Sequence, residues 1–537
     1  MKFLQASAMI LVAATVEMVA ATMAPSVFEG RPAGAAETPI DKLVFGQLAR
    51  LGIQPAHLCS DAVFVRRAYL DVIGTLPTMQ EAKAFIADSN PHKRSALIDR
   101  LLERPEFADY WAMKWSDLLR IKAEFPINLW PNAAQAYHRW VRTAIKQNMP
   151  YDQFVRELLT ASGSNFREGQ VNFYRAMQNK SPEGIATTVA LTFMGSRAEF
   201  WPKEYLPGMA MFFTQIGYKD TAEWKEQIVF WDPNAGAKSA GTNAIAPPAG
   251  ADAPQMATFP DGTRIQLPPD RDPREVFADW LITPTNLWFT VNISNRVWSW
   301  LLGRGIIHEP DDIRSNNPAS NYDLLAYLQK ELIAAKYDLK HLYRLILNSK
   351  TYQLSSIPRS NDPRADIHFA RYPIRRLEAE VLIDALNQIT GTSEKYVSAI
   401  PEPFTNIPEN VRSIALPDGS ISSPYLELFG RPPRDTGLEA ERSNRPSAAQ
   451  RLHFLNSSHV QRKIEDSAKL RDLLRTTSRG QARDPIDALY LTILSRYPTD
   501  SELGVIGNYF RAASNRANAM NDIVWALINT EEFLHRH

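Results

Sequence analysis

The chain has 537 residues, with 60 Lys and Arg against 59 Asp and Glu, a formal net charge of +1. That balance leaves no global field to draw nucleic acid or an anionic membrane surface. Hydrophobic residues make up 45% and charged residues 22%, which fits a globular protein of two or three domains. The single cysteine, Cys59, excludes an intramolecular disulfide, a cysteine-based zinc site and a covalent CxxCH haem, and reads as a buried structural thiol.

Lys2 followed by the mostly small and apolar run Phe3 to Ala24 has the form of an export signal. Val19-Ala20-Ala21 and Ala33-Gly34-Ala35 both offer cleavage triplets, and the second sets the signal at 1–35. Glu17 argues against a stable membrane span, although an uncleaved N-terminal anchor is the alternative. No later stretch reaches about 18 uninterrupted apolar residues. The expected mature chain is therefore extracytoplasmic, periplasmic or secreted, and without an integral membrane span.

From Thr38 the pattern is helical. Pro39-Ile40-Asp41 begins a helix through Leu43, Leu48 and Leu51, with apolar spacing of three to four. Arg66-Arg67-Ala68-Tyr69-Leu70-Asp71 lies on a second, which stops at Gly74. Thr78 and Glu81 form a capping box, and Glu106 to Arg120 is rich in aromatics, with Tyr110, Trp111 and Trp115. A basic helix begins at Tyr137-His138-Arg139-Trp140, and Ser181-Pro182-Glu183 opens another. These elements give an N-terminal helical domain over 38–225. Residues 226–272 change composition, with the Ala-, Gly- and Pro-rich run DPNAGAKSAGTNAIAPPAGADAP, and read as a linker. Within it, Thr258 to Ile265 reads as a small hairpin turning at Asp261-Gly262.

Helices resume at Pro273 and occupy a C-terminal domain over 273–537. Asn295 to Trp300 is an aromatic helix, followed by the turn Gly303-Arg304-Gly305 and the acidic loop His308-Glu309-Pro310-Asp311-Asp312. Asn321 to Ala335 and Asp338 to Leu347 are amphipathic. Leu377 to Ile389 is helical, 392–434 is irregular and punctuated by proline, and Ser447 to Leu455 is helical. Thr499 and Glu502 form another capping box, and a last helix runs from Ile523 to Phe533. The fold class is mainly α: two helical domains joined by a Pro/Gly/Ala-rich linker with a small β-hairpin.

Several of these stretches resemble the planctomycete-type cytochrome-associated family catalogued as domain of unknown function 1549: Pro39-Ile40-Asp41, Arg66 to Asp71, Gly74-Thr75-Leu76-Pro77-Thr78, and the Tyr110-to-Arg120 helix. Ala278-Asp279-Trp280-Leu281, Asn295-Arg296-Val297-Trp298, Gly303-Arg304-Gly305, Thr351-Tyr352, Arg375 to Glu380 and Leu455-Asn456-Ser457 resemble its usual partner, domain of unknown function 1553. The first family commonly carries Cys-x-x-Cys-His after a Met-Gly, which implies covalent haem. Here Met194-Gly195 is followed by Ser196-Arg197-Ala198-Glu199-Phe200-Trp201. The second often has a cysteine pair before Glu-Arg-Ser, where this chain has Leu438 and Ala440 before Glu441-Arg442-Ser443. The resemblance thus implies a divergent member without the haem motif.

On chemistry, the acidic loop is the leading candidate site. His308, Glu309, Asp311 and Asp312 offer paired carboxylates beside an imidazole, suited to acid–base work or, through Asp311 and Asp312, to a hard cation. The competing expectation is that these carboxylates pair with Arg304 or Arg314 and fix the turn. Arg304, Arg375, Arg376 and Glu378 form a candidate ligand-binding set, against which stands a buried ion network between domains. The aromatic faces Tyr110-Trp111-Trp115 and Trp298-Trp300 are suited to sugar stacking or to core packing, and helical spacing favours the core. The loop between Arg434-Asp435 and Glu441-Arg442 has a destination the sequence leaves open. No HExxH or GxSxG motif is present.

The leading expectation is a non-haem accessory or binding component with no cofactor, in the context of polysaccharide handling, its partner another exported protein or a polysaccharide. The first alternative is a carboxylate- or divalent-metal-dependent enzyme centred on the 308–312 loop. The second is a redox-partner protein that has lost its haem site.

Overall fold

The computed structural model describes residues 26–235, 255–477, 483–513 and 515–537. The apolar leader 1–24 and most of the Ala- and Gly-rich run in the linker lie outside these. The architecture is mainly α-helical. Strands are short: Gly163–Ser164, Gln227–Trp231 and Ile216–Asp220 make a three-stranded antiparallel sheet, in that spatial order. The expected hairpin is present as Met256–Thr258 against Arg264–Gln266. Two strands of the three-stranded sheet lie in the stretch expected to be helical, 38–225, and Gln227–Trp231 lies in the stretch read as linker. The sheet's strands are only two to five residues long, too brief to establish a period in sequence.

Local chemistry sets the helix ends. Thr38 caps Pro39–Leu51 and Thr78 caps Met79–Ala87, each through a reciprocal box with Asp41 or Glu81. The same box at Thr499 and Glu502 starts Asp500–Ala512. The helix Asp61–Ile73 runs through the interior, and every residue from Val63 to Ile73 is buried. It ends at Gly74, whose φ of 59° is left-handed, and a Cβ there would stand 2.5 Å from the Tyr110 ring. Only glycine satisfies both demands. The basic helix starts at Pro131, six residues ahead of Tyr137, and continues to Lys146. The expected last helix is two pieces, Arg516–Ile528 and Glu531–Leu534, the second capped by Thr530.

Most of the buried apolar residues form one continuous cluster that spans both halves of the chain, from Ile40 to Phe533, and Ala33, Ala56, Leu58 and Leu354 form a small separate one. Aromatic rings join the halves at the centre of the large cluster. Trp111, on the helix Pro105–Leu118, lies 4.4 Å from Tyr343 and 5.3 Å from Trp300, centroid to centroid. Its indole N–H donates to the Val72 carbonyl at 3.0 Å. Trp115 meets Phe154 at 5.2 Å and Trp300 at 6.0 Å. Trp111, Trp115, Trp298 and Trp300 are all buried, so these faces are core and none presents a strip to solvent. Replacing Trp111 with Ala should cost about 3–5 kcal/mol of unfolding free energy, measured by denaturant titration. A loss below about 1 kcal/mol would mean that the two halves do not depend on this contact.

Candidate functional site

The acidic loop follows the helix Phe289–Leu302, a mostly apolar, buried helix that nevertheless carries Arg296. A guanidinium there needs a counter-charge, since an isolated buried ion is strongly disfavoured. Asp311 supplies it. The Asp311 carboxylate is buried, accepts from Arg296 Nη2 at 2.8 Å and takes the backbone N–H of Glu439 at 2.6 Å on its other oxygen. Glu439 closes the triangle, accepting from Arg296 Nη1 at 3.3 Å and from the Trp300 indole at 2.9 Å.

The remaining loop residues go elsewhere. Asp312 pairs with Arg314 at 3.0 Å, and Glu309, exposed, reaches Arg197 at 3.6 Å. His308 is exposed, and its pKa is lowered by partial burial and then by Arg304. The three carboxylates of the loop thus take three separate basic partners. Among the described residues, no group of three or more His, Cys, Asp and Glu is placed to hold a metal ion.

The set around Arg375 lies in a buried seam of charge between the two halves of the chain. Glu378 accepts from Lys114 Nζ at 2.7 Å and from Arg536 Nη1 at 2.9 Å. Asp71 accepts from the Tyr352 hydroxyl at 2.9 Å and the Tyr372 hydroxyl at 2.7 Å, and pairs with Arg536 at 3.1 Å and Arg375 at 3.5 Å. Arg375 also donates to the carbonyls of Trp300 and Leu301, the end of the aromatic helix. Arg376 turns the other way and donates to the Phe429 and Ser443 carbonyls at 2.6 and 3.1 Å. Arg304 stands apart from this set, half-buried, with Asp366 the acidic group that acts on it.

About one turn beyond Lys114 on Pro105–Leu118, Asp117 shares Arg442 with Glu380. Its guanidinium reaches Asp117 at 2.7 Å and Glu380 at 2.7 Å, while Arg434 pairs with Asp117 at 3.0 Å. The 431–442 loop therefore folds onto this seam. Burial alone would raise the Glu378 carboxyl, but Arg536 and Lys114 hold it well below the ordinary range. At Glu380 burial also pushes up, yet Arg442 and Arg431 bring the value to about 2. These carboxylates are held ionised by fixed cations, an arrangement that joins segments and offers no proton near neutrality.

Sequence reasoning included Arg375, Arg376 and Glu378 but missed Asp71, Lys114 and Arg536 as their partners. Asp71 and Lys114 left a signal: each is a charge on a helix otherwise buried on nearly every side. Arg536 left none. It arrives through a two-residue pairing in which Arg375–Arg376 lies antiparallel to His535–Arg536.

The segment at which the resemblance implies haem packs directly on the acidic loop. Gly195 has a φ of 60°, and its carbonyl accepts from Ile313 N at 2.8 Å. Arg314 lies 4.7 Å from the centroid of the exposed Phe200 ring. Glu439, between Leu438 and Ala440, touches the same loop through Asp311. The two places where the chain departs from the family's cysteine patterns therefore flank the same Arg296–Asp311 pair.

The fold and the seam define a two-part, mainly α-helical protein whose halves share a core and a set of buried ion pairs. Residues 39–198 match the family model PSCyt2, a protein of unknown function (DUF1549), and residues 273–510 match PSD1, a protein of unknown function (DUF1553). The chain belongs to the proteins that carry these two families in this order. No curated protein and no solved structure matches it.

Glu380 gives the seam a testable pH signature. A carboxyl lowered from 4.5 to about 2 contributes stability that is complete above about pH 4.5 and lost as pH falls towards 2. Glu380→Gln should cost about 3–5 kcal/mol at neutral pH, because Arg442 loses a buried partner. Denaturant midpoints from about pH 6 downwards should show the difference from wild type shrinking. A difference that stays constant with pH would show that the charge on Glu380 does not stabilise the fold.

Proposed function

We propose that the protein is an exported, non-haem accessory or binding component, with polysaccharide handling as its context. The observation that supports this reading is the engagement of the acidic loop. Asp311 is bound to Arg296 and the Glu439 amide, and Asp312 to Arg314, so both carboxylates proposed for chemistry serve the fold. Elemental analysis and an absorbance scan of the protein from the extracytoplasmic fraction should give no stoichiometric metal and no Soret band. A divalent metal at one per chain, lost in an Asp311→Ala, Asp312→Ala double variant, would move the assignment to a metal-dependent enzyme.

A second reading, a redox-partner protein that has lost its haem, draws on the convergence of 195–200 and 438–440 beside Arg296. It expects the purified chain to bind a periplasmic cytochrome, and absence of binding at micromolar concentrations would count against it.

For export, the N-terminal residues bear on the choice between the two cleavage triplets. Ser60 donates to the Val27 carbonyl at 2.7 Å, and Gly30 N donates to Leu58 O at 2.7 Å. Lys350 Nζ binds the carbonyls of Ala33 and Ala35, at 2.8 and 2.7 Å, and Ala33 is buried. Cleavage behind Ala35 would strip these contacts from the body, so the reading favours Val19-Ala20-Ala21. N-terminal sequencing of the exported chain should find a start ahead of Phe28. A start at Ala36 or Glu37 would reverse that choice.

A further inference from the structure

We propose that the cleft between the helix Pro131–Lys146 and the 406–417 stretch binds a small hydroxylated carboxylate about the size of a single sugar acid. The proposal deepens the binding reading above and rests on it. The cleft has a volume of about 320 Å³, at the small end of ligand pockets.

One wall is a single helical face: Gln135, His138, Arg139, Arg142 and Thr143 recur at spacings of three and four. His138 is 5% exposed, and its Nε2, itself closed to solvent, has no hydrogen-bond partner among the described residues. Burial, with Arg434 and Arg142 adding to it, lowers its pKa to about 3, so the ring is neutral at physiological pH. The neutral ring lines the cleft, and this uncharged wall suits a hydroxyl, which both donates and accepts.

The charge requirement comes from the next residue. Arg142 is shared with Asp109. Arg139 is exposed and makes no ion pair among the described residues, which leaves a guanidinium fork free to take a carboxylate. Gln135 and Thr143 extend the same face with neutral groups that bond hydroxyls. The opposite wall is largely apolar, with Pro408, Val411 and Pro417, and suits the C–H face of a ring. Glu409, the one carboxylate in 406–417, is exposed and does not line the cleft.

Isothermal titration of the full chain with D-glucuronate, D-glucose and acetate tests this. D-glucuronate should bind saturably, and glucose and acetate at least about tenfold more weakly, about 1.4 kcal/mol each. Arg139→Ala should weaken D-glucuronate at least about tenfold with an unchanged melting temperature, while Lys146→Ala, exposed at the end of the same helix, should bind as wild type. Absence of saturable D-glucuronate binding overturns the proposal. Equal binding of glucose removes the role of the carboxylate, equal binding of acetate removes that of the hydroxyls, and equal losses in the two variants reduce the effect to general charge. A stoichiometric metal would sink the accessory reading without altering these titrations, and failed titrations would leave the metal assay untouched.

Discussion

A buried carboxylate must have its counter-charge fixed beside it, and the central architecture of this protein follows from that requirement at Glu378 and Asp71. Neither residue is satisfied by its own segment. Glu378 draws Lys114 from the helix Pro105–Leu118 and Arg536 from the far end of the chain. Asp71 draws Arg375 and Arg536, with two tyrosine hydroxyls filling its remaining lone pairs. Arg536 belongs to both groups, so the C-terminus, the N-terminal helices and the 375–380 stretch are determined together. Such a network adds little net stability over a well-packed apolar alternative, but removal of one partner leaves a stranded charge. Its effect is therefore to specify one arrangement of the two halves, while the shared aromatic core around Trp111 supplies the attraction.

This division of labour explains what the sequence discloses. Helix starts are local events, and Thr78–Glu81 and Thr499–Glu502 could be read directly because the box needs only four consecutive residues. The Arg375-Arg376-Leu377-Glu378-Ala379-Glu380 run announces buried charge by its density, and the expectation of an ion network between halves agrees with the geometry. The identities of the partners were not legible. Asp71 is more than 300 residues from Arg375 in sequence, and Arg536 reaches the seam through a strand pair of two residues, a length at which alternation carries no information. The same limit hid the three-stranded sheet.

The acidic loop shows a different kind of limit. A histidine followed by three carboxylates in five residues has the composition of a catalytic or metal site, and it also has the composition of a charge-compensating loop. Composition cannot separate the two, because both need carboxylates held close to cations. The deciding residue is Arg296, 15 positions upstream on a helix with few other charges. An arginine in that setting has to be neutralised from outside its own helix, and the loop that follows the helix is the nearest source of acid. A charged residue stranded on an apolar helical face is therefore a better guide to the use of a nearby acidic run than the acidic run itself.

The residues that carry the family resemblance are, for the most part, those that build the interior. Arg66 donates to the Ile493 and Phe533 carbonyls, Arg67 to those of Tyr352 and Leu354, and Asp41 receives Thr351. Motifs of the first half bind motifs of the second, and both are used up in doing so. Membership then specifies how the halves are held and says little about what the surface meets. Ligand chemistry has to be read where polar groups remain unspent. The helix Pro131–Lys146 contributes none of those motifs, yet beside one open cleft it sets a neutral imidazole and the Arg139 guanidinium, which makes no ion pair among the described residues. A guanidinium that the buried charge network does not engage, set at the mouth of a cleft, points to a partner supplied from outside.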